Sequence, residues 1–562
     1  MSSLDVDALV VGGGIAGLAC ASHLKRHGLN IRLFERHDHL GGVIRSLREG
    51  GYLIETGPNS LYLRPEDPLL EYLSFLSIAD QAKSAGEAGK KRFVLQNGKP
   101  VAFPMSIKEG LTTPLLSLKG KIRLLGELWV HPLEDAPDEE SVSEFVTRRF
   151  GPEFLNYFID PFVKGVYASK PDLLSMSATF PRLAAMEDRY GSIIKGGFAL
   201  KRGSSSPQNS LTKTIFSFPG GMGFIPKSLA AYLDTDAGTN AEVIGFTKTD
   251  SGYLVSLLFE EEMYYIKARH LVLATSASHS AELLSDLSPE ASRALSEIPY
   301  APVAVVYMGF HRKNVSHPLD GFGLLVPELE KRKILGILFS SSLFPERAPE
   351  DHVLLTVFVG GMQNPKMAFS FDEDLLEIVQ EEVRSILGTS GLPDFLRIQR
   401  WEEAIPQYTK GHLERIERIR QALPDNLHLA GSFLEGVSVA QTFTSGTNAA
   451  KEILHYPPHP SSQNPDYEGT PAMRWNVPVS RHSADRTPVR YAPVSTRAIE
   501  SDQKPAFRTI VCPETTRRPS QEGKRSGGRS SRHSWESPEE KRRVGHRARS
   551  PNRDPGTGGR LA

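Results

Sequence analysis

Cysteine is almost missing from this chain. Its 562 residues include two, Cys20 and Cys512, which excludes a disulfide scaffold and any zinc or iron–sulfur centre built on cysteine. No stretch of about eighteen uncharged apolar residues occurs, so no membrane-spanning helix is expected. Net charge is also missing: 66 Lys and Arg offset 66 Asp and Glu, which argues against a strongly basic nucleic-acid binder. The 39% apolar content is too high for a wholly disordered chain. The length exceeds what one ordinary core serves, so several folding units are expected. The apolar run Ala8–Ala21 has a superficial likeness to a signal peptide. Asp5 and Asp7 precede it where positive charge belongs, and glycines interrupt it. It reads instead as strand, turn and helix, and no cleavable address is expected before it.

The zero charge conceals two unlike parts. From about Pro457 the apolar periodicity stops and Ser, Pro and Arg dominate. Residues 457–562 hold 20 Lys and Arg against 11 Asp and Glu, so the preceding part carries the opposite excess. This tail is expected to be disordered and basic. It reads as dispensable rather than as an arm for anionic lipid or nucleic acid. The remaining part fits two or three domains, with no internal repeat.

Chemistry is first legible near the N-terminus. Asp7–Val11 (DALVV) has a buried-strand pattern. Gly12, Gly13, Gly14 and Gly17 then form G-x-G-x-x-G, the next segment has helical composition up to Gly28, and Ile31–Glu35 (IRLFE) reads as a second strand. Gly12 permits the tight turn, Gly14 lets a pyrophosphate approach the backbone, and Gly17 lets the helix pack on the strand. The helix N-terminus offers N–H groups and a positive dipole end. Glu35 is placed where a carboxylate accepts both ribose hydroxyls. A lone glycine motif says little, but strand, motif, helix, strand and acid in that order define a dinucleotide site. His37 and His39 flank Asp38 in the following loop and are read as solvated rather than metal-ligating, so no metal site is expected.

A second glycine pair follows at Leu40-Gly41-Gly42-Val43, and then Tyr52-Leu53-Ile54-Glu55-Thr56-Gly57-Pro58-Asn59-Ser60. A nicotinamide dehydrogenase has no need of it. This part resembles the glutathione-reductase-like FAD proteins of the amine oxidase type. Far along the chain, Leu427-His428-Leu429-Ala430-Gly431-Ser432 looks like a strand entering a glycine turn. Gly436-Val437-Ser438-Val439 and Ser445-Gly446-Thr447-Asn448-Ala449-Ala450 follow it, and these small residues are expected to enter a helix aimed at a phosphate or an isoalloxazine edge. The segment resembles that family's closing flavin motif. The resemblance implies FAD as cofactor, held by Gly12, Gly13, Gly14, Ile15, Ala16, Gly17, Glu35, Arg36, Gly42, Val43, Gly57, Pro58, Asn59, Ser60, Val243, Ser432, Val437, Ser438 and Val439, with Val243 near the adenine.

The middle of the chain narrows the resemblance. Gly165-Val166-Tyr167-Ala168, Phe322-Gly323-Leu324-Leu325-Val326-Pro327, Ile334–Pro345 and Ile405-Pro406-Gln407-Tyr408 with Gly411-His412 together resemble the oxygen-dependent, FAD-containing protoporphyrinogen IX oxidases, over roughly residues 5–456. The resemblance implies haem biosynthesis. Protoporphyrinogen IX becomes protoporphyrin IX in three two-electron oxidations, and oxygen leaves as hydrogen peroxide. Such a substrate asks for flat apolar walls and a cation for its propionates. The resemblance gives the propionate to Arg92, the faces of the macrocycle to Leu325 and Phe344, and a neighbouring backbone carbonyl to a glycine turn at Gly196 and Gly197, beside the unusual charge of Lys195. Otherwise Arg92 reads as a surface arginine in a basic run, and Leu325 and Phe344 as core. No acid–base dyad or nucleophile triad emerges, and no side-chain base is assigned.

Met105–Leu133 repeats apolar residues at near-helical spacing with Lys119, Lys121 and Arg123 among them. It reads either as a helix lying on a bilayer or as one packed within a globular domain. The resemblance favours monotopic attachment, in a eukaryote to the inner mitochondrial membrane, and implies a homodimer and handover of product to ferrochelatase.

The expected fold is α/β. A Rossmann-like FAD domain is assembled from 1–86, 215–285 and 410–456. A mixed-sheet substrate domain comes from 87–110, 185–214 and 286–409, and a helical, membrane-associated insertion spans 111–184. The alternatives are a related flavin amine oxidase, a carotenoid desaturase, and a flavin-binding membrane partner without turnover. A polyamine oxidase would need an aromatic cage by the flavin and preferably a lysine at its N5.

Overall fold

The computed structural model describes residues 4–131, 139–203, 211–212 and 214–455. The expected basic tail lies outside them. The first strand, β1 (Leu4–Val11), buries Ala8, Leu9 and Val10 completely. Such a strand, apolar on both faces, belongs inside a parallel sheet. Helix α1 (Ile15–Arg26) follows and returns the chain to β2 (Ile31–Phe34), which pairs parallel with β1. Strand Glu262–Leu273 lies on the other side of β1, also parallel. Its first half bonds the antiparallel hairpin strand Gly252–Phe259, and its last residues bond Leu427–Leu429. The resulting sheet has seven strands and draws on both ends of the described chain.

α1 is apolar nearly all round because it is covered nearly all round. Small residues make this possible, and a Cβ at Gly446 would collide with the Ala16 carbonyl. The helix Val439–His455 thus lies against α1 backbone to backbone. The small residues Ser445–Ala450, expected at a helix entrance, are interior residues of that helix, with Gly446 at this contact.

The second sheet also has seven strands, in the order Phe395–Pro406, Tyr300–His311, His352–Gly360, Ile334–Phe339, Gly323–Leu325, Phe93–Gln96, Lys99–Ala102. It is antiparallel except where Gly323–Leu325 meets Phe93–Gln96. Its strands come from within the expected 87–110 and 286–409 segments. The 185–214 segment adds none. Helices Pro181–Tyr190 and Ile193–Gly203 instead place Leu183 and Ile193 on the helical cluster of Val142, Phe145, Val163, Tyr167 and Met176. The helical region therefore extends past the expected boundary at 184. Arg149 and Glu127, both fully buried, pair at 3.2 Å inside it, and Arg149 also pairs with Glu187.

The expected long amphipathic helix is broken. Ile107–Thr112 ends before Pro114, Leu118–Leu125 is a second helix, and Gly126–Trp129 tightens into a 3₁₀ turn. Proline cannot donate to a helix interior, which accounts for the first break. Among the described residues no helix is long and apolar enough to cross a membrane.

Candidate active site

The glycine motif lies at the carboxyl end of β1, where ligands bind in open α/β sheets. Gly12 has φ +106°, and a Cβ there would lie 2.7 Å from the Ala274 carbonyl oxygen. A Cβ at Gly17 would strike the Gly12 carbonyl, so the helix sits directly on the turn. Gly14 is the N-cap of α1 and has open space in front of it, and no side chain caps that end. The second glycine pair closes over the first. Gly41 N–H donates to Gly13 O at 2.7 Å, and a Cβ on Gly42 would lie 3.2 Å from Gly14 Cα.

Glu35 follows β2 and is 8% exposed. Its Oε2 accepts from Gly13 N–H at 2.7 Å, and its Oε1 accepts the His37 backbone N–H at 2.9 Å and meets His37 Nδ1 at 2.6 Å. A carboxylate offers about four acceptor directions. Oε2 therefore keeps one that suits a ribose hydroxyl. His37 is thus tied to the carboxylate, while His39 bonds Asp38 at 2.6 Å. Among the described residues no group of acidic, His or Cys side chains forms a metal site. Arg36 is exposed. Val243 is buried in strand Ala241–Thr249, whose first residue donates its N–H to Glu35 O at 2.9 Å.

The Gly57–Ser60 segment leaves strand Tyr52–Glu55 and lies against the second glycine pair, where a Cβ on Gly57 would strike Val43 O. Two residues not singled out from the sequence hold it. Glu55 and Arg347, each 1% exposed at the side chain, pair at 3.0 Å. Arg347 Nη2 also donates to Asn59 O at 2.6 Å and Ser217 Oγ at 3.1 Å. Glu55 accepts from Met222 N–H at 2.9 Å and Ser46 Oγ at 2.5 Å. Burial raises the Glu55 carboxyl and lowers Arg347, and each opposes the shift of the other. The sequence signal was a charge ending an apolar strand and another inside Phe344–Ala348.

The Gly431–Val439 segment follows strand Leu427–Leu429 at the same edge of the sheet. Gly431 N–H donates to Ser445 Oγ at 3.0 Å. Val439 packs on the core around Ile15 and Ala16, whereas Val437 packs on the helical cluster. Ser438 is spent as a cap, its Oγ accepting from Gln441 N–H at 3.2 Å. The two ends of the described chain thus meet at one glycine-rich edge. Its backbone cradle, uncapped helix end and buried acid fit a flavin dinucleotide.

Arg92 stands apart from its basic neighbours. Lys90 pairs with Glu87 and Lys91 with Asp320, both at 2.5 Å, whereas Arg92 has no ion pair among the described residues. Its guanidinium lies 5.3 Å from the centre of the Phe322 ring, with Met105 Sδ 3.8 Å from Nη1. Partial burial lowers its pKa, against the pull of Tyr62, two residues beyond Ser60. The next residue, Phe93, registers with Leu324, and Val94 with Leu325, so Arg92 precedes the strand whose neighbour carries Leu325.

The other macrocycle contacts fare differently. Leu325 is half-buried and meets Gly165 of helix Asp160–Tyr167, where a Cβ would lie 2.6 Å from Leu325 Cδ2. Phe344 is 1% exposed in a cluster with Ala85, Leu338 and Leu343, on which Phe322 packs. Half-buried Phe322 is the aromatic beneath Arg92. The expected glycine turn is a correction. Gly196 and Gly197 lie inside helix Ile193–Gly203, Gly196 buried against Met186 and Tyr190. The helix forms because Ser192 Oγ accepts from Lys195 N–H at 3.2 Å and Glu127 accepts from Ile193 N–H at 2.8 Å. Lys195 is exposed on it. The glycine beside Leu325 is Gly165, in a motif the sequence had marked for another reason.

Residues 15–454 match the model of the flavin containing amine oxidoreductase family. A chloroplastic/mitochondrial protoporphyrinogen oxidase 2 of Arabidopsis thaliana is 33% identical over 477 residues, covering 80% of this chain and 93% of that one. A coproporphyrinogen III oxidase of Bacillus subtilis is 27% identical, with 81% and 99% covered. The crystal structure of a putative protoporphyrinogen oxidase from Exiguobacterium superposes with a TM-score of 0.67 at 25% identity, covering 81% of this chain and 99% of that one. The chain belongs to the flavin containing amine oxidoreductases, and its cofactor is FAD. Within that family its place is among the protoporphyrinogen oxidases.

Proposed function

We propose that this protein oxidises protoporphyrinogen IX to protoporphyrin IX in haem biosynthesis, with oxygen as acceptor. The observation that carries the substrate is Arg92, a half-buried guanidinium without an ion-pair partner among the described residues, lying over the Phe322 ring. An arginine fork binds a propionate with two parallel hydrogen bonds. Half-buried Phe322 and Leu325 offer apolar surface near it, Leu325 seated against the helix backbone at Gly165. FAD held at the Gly12–Gly17 turn, Glu35 and the Gly431–Val439 segment would supply the hydride acceptor, with oxygen as the final acceptor reduced to hydrogen peroxide. The chain's task is then to bind, orient and exclude water. No side-chain base is assigned among the described residues.

The helical region adds a second element. Leu118, Ile122, Leu125 and Trp129 are 75%, 63%, 55% and 74% exposed. Their spacing makes one stripe along helix Leu118–Leu125 and the turn after it. The stripe points outward rather than into the helical core, which favours contact with a bilayer surface over packing within the protein. A place on the inner mitochondrial membrane, a homodimer and handover of product to ferrochelatase follow from the family resemblance.

Anaerobic mixing tests the substrate. Loss of flavin absorbance with protoporphyrinogen IX, and less with coproporphyrinogen III or a polyamine, is the expected result. Faster loss with coproporphyrinogen III or with the amine overturns the assignment.

A further inference from the structure

Two consecutive backbone carbonyls after strand Leu427–Leu429 are each held by a buried side chain. The Tyr408 hydroxyl donates to Ser432 O, and His412 Nε2 bonds Phe433 O at 3.0 Å. The two rings stack, with centroids 4.4 Å apart and planes 19° apart. Tyr408 is 2% and His412 1% exposed. A carbonyl acceptor requires the hydrogen on Nε2, which assigns the neutral tautomer. Buried Nδ1 meets no partner among the described residues. Burial holds this imidazole down at about 4, with Arg415 adding to the shift and Glu139 opposing it. Burial also pushes the Tyr408 phenol well up, so it stays a donor.

The segment carrying these side chains is fastened on its other sides. Gln407 N–H donates to Pro299 O at 2.8 Å, and its Nε2 donates to Tyr167 O at 2.9 Å. Tyr408 O accepts from Ser175 N–H at 2.8 Å, and Gly411 N–H donates to Glu139 at 2.6 Å. Residues 407–412 therefore join the helical region, the substrate sheet and the Ser432–Phe433 turn. We propose that Tyr408 and His412 are positioning residues that set the Ser432–Val439 backbone against FAD, and so fix the flavin relative to the substrate sheet and the helical region. The proposal rests on the reading of this segment as part of the flavin site. It needs no proton transfer by either residue.

Tyr408→Phe keeps the ring and removes the O–H. His412→Leu removes the N–H, and His412→Gln returns a donor at similar reach. In the FAD-loaded protein, Tyr408→Phe and His412→Leu are expected to shift the flavin visible band and midpoint potential. They lower kcat about tenfold with little change in KM, and His412→Gln recovers most of the loss. In the apoprotein, both deletions speed amide hydrogen exchange at 431–438, and adding FAD to the wild type slows it. Unchanged band, potential and exchange in folded variants, with only a lower thermal midpoint, overturns the proposal. So does wild-type exchange at 431–438 that FAD leaves unaltered. If His412→Leu does not fold, Tyr408→Phe decides. Potential and exchange require no porphyrinogen, so a failed substrate assignment is distinguishable from a failed positioning role.

Discussion

Glu55 and Arg347, 292 residues apart in the chain, meet as an almost fully buried ion pair beneath the Asn59 carbonyl. Burying two charges costs several kcal/mol, which their attraction and hydrogen bonds offset. Breaking the pair from one side leaves a charge without compensation. Arg347→Met is expected to destabilise the fold by about 3–5 kcal/mol and to weaken FAD retention. Glu55→Gln combined with Arg347→Met is expected to restore part of the stability. Thermal unfolding with and without FAD checks both, and equal midpoints for Arg347→Met and wild type contradict the account.

Arg92→Ala is expected to leave flavin binding intact and lower kcat/KM roughly 10- to 100-fold, the worth of one or two charge-assisted hydrogen bonds. Arg92→Lys keeps the charge without the fork and falls between. Flavin content and steady-state kinetics measured together decide this. Loss of flavin from a folded Arg92→Ala protein would sink the substrate role.

The exposed stripe gives a prediction independent of chemistry. Leu118→Asp, Ile122→Asp and Leu125→Asp replace side chains that are 75%, 63% and 55% exposed, so the fold and detergent-phase activity are expected to survive. Sedimentation with anionic vesicles is expected to fall for each and most for the triple variant. Undiminished sedimentation would contradict the membrane reading.

Three histidines, His23, His270 and His412, are held down at about 4, each chiefly by burial. Neighbouring charges act on all three: His27, Lys451, Arg26 and Glu71 on His23; His428, Arg269 and Asp7 on His270; Arg415 and Glu139 on His412. A folded-state pKa below the unfolded value near 6.5 means that the unfolded chain binds more protons below that pH. Stability is therefore fully present above about 6.5 and is lost as pH falls toward 4. Unfolding midpoints across this range are expected to decline, and less steeply in His412→Gln. Identical slopes would remove His412 from the explanation.

The parts legible from sequence are local. β1, its glycine turn, α1 and Glu35 fall within one stretch, where spacing alone dictates geometry. Helical composition begins after Gly17, whereas the helix begins at Ile15, because Gly14 caps it by backbone conformation without a side-chain signal. Gly196 and Gly197 sit in a helix rather than a turn because that helix is started by Glu127, a distant carboxylate that the local sequence does not reveal. Periodicity could not say which side of Leu118–Leu125 faces water, whereas exposure does. Glu55–Arg347 and Tyr408–Ser432 are contacts between far segments. Each residue alone looks like an ordinary charge or aromatic.

The central claim is tested most directly by mixing purified protein with protoporphyrinogen IX under air. Porphyrin fluorescence and peroxide are followed together, against a heat-killed control for autoxidation. The account predicts a flavin-dependent rise well above the control, with three peroxides formed per porphyrin. Protein that still holds FAD and gives no rise above the control would contradict it.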